Sequence, residues 1–208
     1  MHNHNVSNSG IDRRTITKGA AWSLPVLAAA VAAPHAAASV EPPVCPECFT
    51  AGIGAAFTAQ AVVLNNRGAL AITTALNVST QSCADLSLFQ PVYTAIMTNA
   101  TLTMTDGSEY TSTAGLGTGV GTFGAISAFN YNGLFTGVNY PNDAIPPYGR
   151  NAPARLCVDF TMVVVGLPSL LELRCPVTIC WDVTNMVSLG TVILGAGTVN
   201  HTGIMAAG

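Results

Sequence analysis

Charge is scarce in this sequence, and lysine is almost absent. Charged residues make up 8% of the 208 positions, where a soluble domain ordinarily carries about 25%. The one lysine is Lys18, and after it the only basic side chains other than histidine are Arg67, Arg150, Arg155 and Arg174. Those four arginines face nine acids between Glu41 and Asp182, a net of −5 for that part of the chain. Binding to nucleic acid or to an anionic membrane surface needs clustered Lys or Arg, so neither is expected. Intrinsic disorder is excluded as a description of the whole, because disordered chains are charge-rich and apolar-poor and half of this one is hydrophobic.

Catalytic side chains are equally sparse. There are four histidines, of which His2, His4 and His35 precede residue 39. His201 stands alone near the C-terminus and reads as a surface residue. No G-x-S-x-G elbow, H-E-x-x-H helix, Walker loop or dinucleotide fingerprint occurs, and nothing implies a cofactor or a metal. Long apolar runs are missing as well. The longest, Gly19 to Ala33, spans about 15 residues and is too short and alanine-rich to cross a bilayer comfortably.

What that run does have is a charged preface and a small-residue sequel. Arg13, Arg14 and Lys18 precede it, and Pro34-His35-Ala36-Ala37-Ala38-Ser39 follows. A basic n-region, an apolar h-region and an A-x-A site (Ala36, Ala38, with Ser39 as the new N-terminus) make a removable signal peptide over residues 1–38. The paired arginines resemble a twin-arginine translocation motif, with Ile16 and Thr17 where that motif usually has Phe and Leu; a general secretory signal is the alternative. The stretch Arg13 to Pro25 (RRTITKGAAWSLP) resembles the leaders of uncharacterised exported proteins of high-GC Gram-positive bacteria, over about the first 40 residues. The resemblance implies an address: export machinery as partner, then a secreted or envelope-associated protein. No lipobox cysteine follows the apolar run and no C-terminal sorting signal is seen, so no covalent anchor and no transmembrane segment are expected in the mature form.

All six cysteines, Cys45, Cys48, Cys83, Cys157, Cys175 and Cys180, lie beyond the cleavage site. An even number in an exported chain reads as three disulfides, whose pairing the sequence leaves open among 15 arrangements. Two other readings exist. Cys45-Pro46-Glu47-Cys48 has thioredoxin-like C-x-x-C spacing but lacks the following helix. A zinc knuckle would recruit Cys45, Cys48, Cys175 and Cys180, but the last two sit four residues apart in a strand-like run.

After a Cys/Pro-rich lead-in, residues 39–56, the chain alternates with period two between turn signals. Strands are expected over Phe57–Leu64, Ala69–Val78, Tyr93–Met104, Glu109–Thr113, Thr122–Tyr131 and Arg155–Val165, then from Leu171 to Val183, with a last one around Val187–Val199. Asn65-Asn66-Arg67-Gly68 and Asp106-Gly107 mark hairpins. Pro176 implies an edge, a bulge or a break. Nothing reads as a helix. The fold class is therefore all-β, a single β-sandwich of immunoglobulin-like type over residues 57–208.

Two places attract functional readings. Asp159, Glu172 and Asp182 fall on polar strand faces among Arg155 and Arg174; they are either a hydrolase carboxylate pair, which needs a separation of about 5–9 Å, or simple cross-strand charge pairs. The aperiodic stretch Thr136–Ala154 is long for a loop. Tyr140, Asp143, Tyr148 and Arg150 there make a candidate recognition patch, unless the segment is merely a proline-stiffened connection. The leading expectation is a non-catalytic exported protein whose neutral surface meets envelope polymer, glycan or further copies of itself. A hydrolase and a ligand-binding module using the 136–154 loop are the alternatives.

Overall fold

The computed structural model describes residues 45–88, 92–115, 117–141, 151–166 and 171–208, all within the compact unit Val44–Gly208. The residues of the expected signal, Arg13, Arg14, Lys18, Ala36, Ala38 and Ser39, lie outside the described residues, as do Asp143, Tyr148 and Arg150.

The described chain is nearly all strand. Ten strands run β1 (Thr50–Ala51), β2 (Ala56–Leu64), β3 (Arg67–Ser79), β4 (Val92–Met104), β5 (Glu109–Thr111), β6 (Thr118–Thr122), β7 (Ile126–Asn139), β8 (Pro153–Gly166), β9 (Leu171–Ile193) and β10 (Ala196–Ala207). The helical departure among the described residues is a 3-10 segment, Gln81–Leu88, bent at Cys83. Every strand pairing is antiparallel, within one sheet. Its order is β7-β3-β2-β10-β9-β8-β4, with β1 extending the β2 side of β3 and β5 and β6 sharing the outer edge of β4.

Alternation fixes how this sheet is folded. β2, β3 and β8 each bury every second residue: Phe57, Ala59, Ala61 and Val63 on β2, Leu70, Ile72, Leu76 and Val78 on β3, Leu156 to Val164 on β8. All belong to a single core cluster. One continuous sheet with one buried face and, among the described residues, no α-helix to cover it must close over itself. It does so where the segment after β5 meets β7: Leu134 donates its N–H to the Ala114 carbonyl at 2.9 Å and accepts from Thr113 N–H at 2.8 Å.

The turns obey the chemistry of their residues. Asn65 (φ 51°) and Asn66 (φ 60°) form the two-residue β2–β3 turn, both in the left-handed region that asparagine tolerates. Asp106 accepts from the Ser108 N–H at 2.9 Å, while Gly107 takes the positive φ between β4 and β5.

Four sequence expectations change. Thr122–Tyr131 is not one strand: β6 ends at Thr122 and β7 starts at Ile126, with Gly124 (φ 77°) in the turn. Between the expected strands Glu109–Thr113 and Thr122–Tyr131, where none was expected, β6 begins at Thr118, and it is a strand because its glycines face rings. A Cβ on Gly119 would meet the Phe129 ring at 2.4 Å and one on Gly121 the Tyr93 ring at 2.2 Å, so the aromatics fill the space the glycines leave. The stretch around Val187–Val199 is a hairpin turning at Leu194-Gly195. Finally, β7 runs on to Asn139 and β8 begins at Pro153, which shortens the expected 136–154 loop from both ends.

β9 has 23 residues. Its first half pairs with β8 and its second half with β10. An extra residue near Asn185 (φ 53°) switches the face that points inward, from Ile179 and Trp181 before it to Val192 after it. Pro176 opposes Thr161 in the half of β9 that has no described strand on its other side, which satisfies the edge expectation.

The cysteines form three disulfides: Cys45–Cys175, Cys48–Cys83 and Cys157–Cys180. Cys45 and Cys48 thus have different partners and are not a redox pair, and the four thiols of the proposed zinc knuckle are all consumed. The lead-in is anchored at both cysteines, and Phe49 packs on Tyr93 and Phe123 with ring centroids 5.1 and 5.7 Å apart.

Candidate functional site

Strand register sorts the surface into two unlike halves. β2, β7 and β10 carry no acid, lysine or arginine, nor does β9 beyond Asp182, and β3 has Arg67 alone at its start. The remaining strand charges, Glu109, Arg155, Asp159, Glu172, Arg174 and Asp182, lie on β5, β8 and the first half of β9.

On the charged half, the carboxylates do not converge. Arg155 opposes Asp182 and Thr178 opposes Asp159; four residues along a strand separate the two acids by about 13 Å. Glu172, opposite Val165, lies about 20 Å from Asp159 by the same count. Each has its own local partner: Asp182 meets Arg155 Nε at 3.7 Å, Glu172 meets Arg174 at 2.6 Å, and Asp159 accepts from Thr178 Oγ1 at 2.7 Å and Asn99 Nδ2 at 3.3 Å. Cross-strand partners account for Asp159 and Asp182 and a neighbour on the same strand for Glu172, and a hydrolytic pair is not assembled.

On the neutral half, the outer face of β10, β2 and β3 presents amides, hydroxyls and alanines in rows, with exposed Val62 and Leu64 toward the end of β2. One row runs Thr202, Thr58, Thr73, Asn132; the next runs Asn200, Gln60, Ala71. Thr58, Gln60, Thr73, Asn200 and Thr202 are all exposed. Together with Ala71 they line a shallow depression of about 310 Å³. No single segment announces this face, because its residues are 144 positions apart at the extremes (Thr58 to Thr202) and only register brings them together.

Beneath it lies a buried polar bridge, which corrects the expectation for His201. The ring is fully buried, because position 201 is an inward position of β10. Its Nδ1 is 2.8 Å from Ser188 Oγ and its Nε2 3.1 Å from the Tyr140 hydroxyl. Tyr140 is itself buried, so it belongs to the interior and not to a recognition patch. Its ring fills the space over Gly68, where a Cβ would come within 2.7 Å. Burial holds the Tyr140 hydroxyl protonated, well above the ordinary tyrosine range, and pushes His201 down to about 4. The neutral imidazole donates from one nitrogen and accepts at the other. A Ser–His contact of this length is what a nucleophile and its base would need, but Tyr140 occupies the other nitrogen and the ring has no exposed edge. The bridge fastens the end of β7 to β9 and β10.

The bridge has a pH signature. An unfolded histidine binds its proton near pH 6.5, whereas the folded one resists until about pH 4, so unfolding takes up a proton between those values. Stability is complete above pH 6.5 and falls as pH drops through the window, by about 3 kcal/mol in all. Denaturant titrations at pH 7 and pH 4 should show that loss, and His201→Gln should remove this slope while lowering stability at pH 7. An unchanged slope in the variant would mean that another group is responsible.

Comparison of the chain with family models, with curated proteins and with solved structures finds no match. Among the described residues no cluster of three or more His, Cys, Asp or Glu could hold a metal ion, and no helix is long and apolar enough to cross a membrane. Three disulfides point to an oxidising, extracytoplasmic compartment.

Proposed function

We propose that this chain is an exported, non-catalytic protein of the cell envelope or its surroundings, and that it holds an uncharged polymer, a glycan of the envelope, on the outer face of β10, β2 and β3. The observation that carries the reading is the charge-free face of exposed Thr58, Gln60, Thr73, Asn200 and Thr202 around its depression. A neutral polysaccharide offers hydroxyls that both donate and accept, and amide and hydroxyl side chains complement it without the desolvation cost of a buried charge. In shape we take the domain as an immunoglobulin-like β-sandwich in the loose sense that two halves of one sheet face each other over a shared core.

Delivery follows from the N-terminal signal, through the twin-arginine route or the general one. Protein recovered outside cells of a producing bacterium should then begin at Ser39 and be six hydrogens lighter than its fully reduced form. Binding is tested by co-sedimentation with insoluble, charge-neutral cell-wall polysaccharide. Gln60→Ala with Asn200→Ala should weaken retention about 10-fold, at roughly 0.5–1.5 kcal/mol per neutral hydrogen bond, and leave the fold intact because both positions are exposed. Equal retention of the double variant would move binding off this face. No retention of the wild type would end the glycan reading.

A further inference from the structure

Beyond glycan binding, and resting on no part of it, the three disulfides differ in where they stand. Cys48 and Cys175 lie in the core, and Cys45 and Cys83 pack against it, so two of the bonds each contain one buried cysteine. Cys157 and Cys180 belong to neither set and are only half-buried. The period of their strands explains this. Leu156 and Val158 on β8, and Ile179 and Trp181 on β9, point inward, so positions 157 and 180, directly opposed in register, both point out. The third disulfide is a clasp laid over the outer surface of two strands already paired from Arg155–Asp182 to Gly166–Leu171.

A disulfide is cleaved by a thiolate that attacks one sulfur, in line with the bond, and expels the other. Exposed bonds exchange readily, whereas buried ones are reached only when the structure opens. The Cys157–Cys180 bond runs across the strands, so its two in-line approaches pass over the two flanking strands. The approach to Cys157 passes over β4, where Thr101 stands opposite it on the same outer face. The approach to Cys180 passes over the end of β10. There Gly208 donates its N–H to the Cys180 carbonyl at 3.3 Å and, being glycine, puts no side chain above the sheet. Toward Thr178 no described strand lies on that side of β9, since the β10 pairing ends at Trp181.

We infer that Cys157–Cys180 is a thiol–disulfide exchange site that takes a dithiol as its co-reactant, open to attack at Cys180 while the other two disulfides stay closed. One thiolate of the dithiol bonds to Cys180 Sγ. The Cys157–Cys180 bond breaks, and its electron pair leaves on Cys157 Sγ, which takes a proton from water. The second sulfur of the dithiol, as thiolate, then attacks the first, forming the dithiol's own disulfide and releasing Cys180 as a thiolate that is protonated in turn. The dithiol is oxidised by two electrons and the protein is reduced by two. β8 and β9 keep their register through the pairing on either side and lose only the covalent clasp. Cys45 and Cys48 are thus not the exchanging pair; the sheet builds one from positions 23 residues apart.

Dithiothreitol acting on the full chain, folded with its three disulfides, tests this. Samples are quenched by alkylation, and peptide mass spectrometry reads each cysteine. Cys157 and Cys180 should be labelled at least about 10-fold faster than the other four, with far-UV circular dichroism retained and with a rate that low denaturant leaves unchanged. Gly208→Leu, which sets a side chain over the approach to Cys180, should slow that reduction about 5-fold or more. Thr101→Ala, on the approach to Cys157, should leave it as it is. Earlier reduction of Cys45–Cys175 or Cys48–Cys83, equal rates for all three, or a Cys157–Cys180 rate that climbs with denaturant in step with the others would each overturn the inference. So would acceleration by Thr101→Ala with no effect of Gly208→Leu, because the attack would then fall on Cys157.

Discussion

Trp181→Ala is expected to lower stability by about 4 kcal/mol, within the range of about 3–5 kcal/mol for deleting a buried large aromatic. Trp181 is fully buried, lies against Phe160 with ring centroids 6.3 Å apart, and ends a line of rings that runs back through Phe129, Tyr93 and Phe49. It also ties together parts of the sheet that are not neighbours. Its Nε1–H lies 3.1 Å from both the Gly52 and Asn77 carbonyls, which reaches from β9 across the core to β3 and the residue after β1. The alanine variant loses the ring's packing and leaves two carbonyls with one donor fewer. Trp181→Phe restores most of the volume without the donor and should recover more than half of the loss. Denaturant unfolding monitored by far-UV circular dichroism gives both numbers. A loss below about 1 kcal/mol for the alanine variant would mean that the two sides of the sheet do not depend on this bridge.

The second large effect is expected from the Cys45–Cys175 disulfide. It closes a loop with a sequence separation of 130, the longest of the three. On the chain-entropy account such a loop contributes about 5 kcal/mol by restricting the unfolded chain, against roughly 3.5–4 kcal/mol for the Cys48–Cys83 and Cys157–Cys180 loops, with separations of 35 and 23. Replacing Cys45 and Cys175 together by alanine should therefore cost the most of the three paired replacements. Cys157 and Cys180 are direct neighbours across β8 and β9, where strand pairing already holds them, so their loss should leave the fold intact. The same denaturant titration on the three double variants ranks them. If Cys157 with Cys180 proved the costliest pair, the entropic ordering would be wrong and native packing would dominate.

Much of the fold was legible in the sequence, and the residues say why. The inward sets Leu70, Ile72, Leu76, Val78 and Leu156, Val158, Phe160, Met162, Val164 are spaced by two, a pattern that depends only on the strand's own geometry. The Asn65-Asn66 turn was readable for the same reason: it is decided by two residues and their tolerance of positive φ. β6 was missed because Gly119 and Gly121 look like loop residues until Phe129 and Tyr93 are seen filling the space beside them. The β9–β10 turn was missed because Leu194 is a poor turn residue. His201 and Tyr140 were misplaced because a lone polar residue gives no sign of what faces it; the bridge joins the residue after β7 to β9 and β10, and Ser188 is 13 positions away from His201, Tyr140 61.

The sequence by itself determined the class of the protein: an all-β chain poor in charge, with cysteines enough for three disulfides. These follow from composition, period and short-range turn chemistry, which are local quantities. The tertiary structure decided which cysteine meets which, that one sheet closes on itself, that the acids stay apart, and that the charged and neutral strands take opposite parts of the surface. Those are matters of register and closure between segments up to 144 residues apart (Thr58 to Thr202). A register is fixed by the sum of many weak pairings along a sheet, so no window of the sequence contains it.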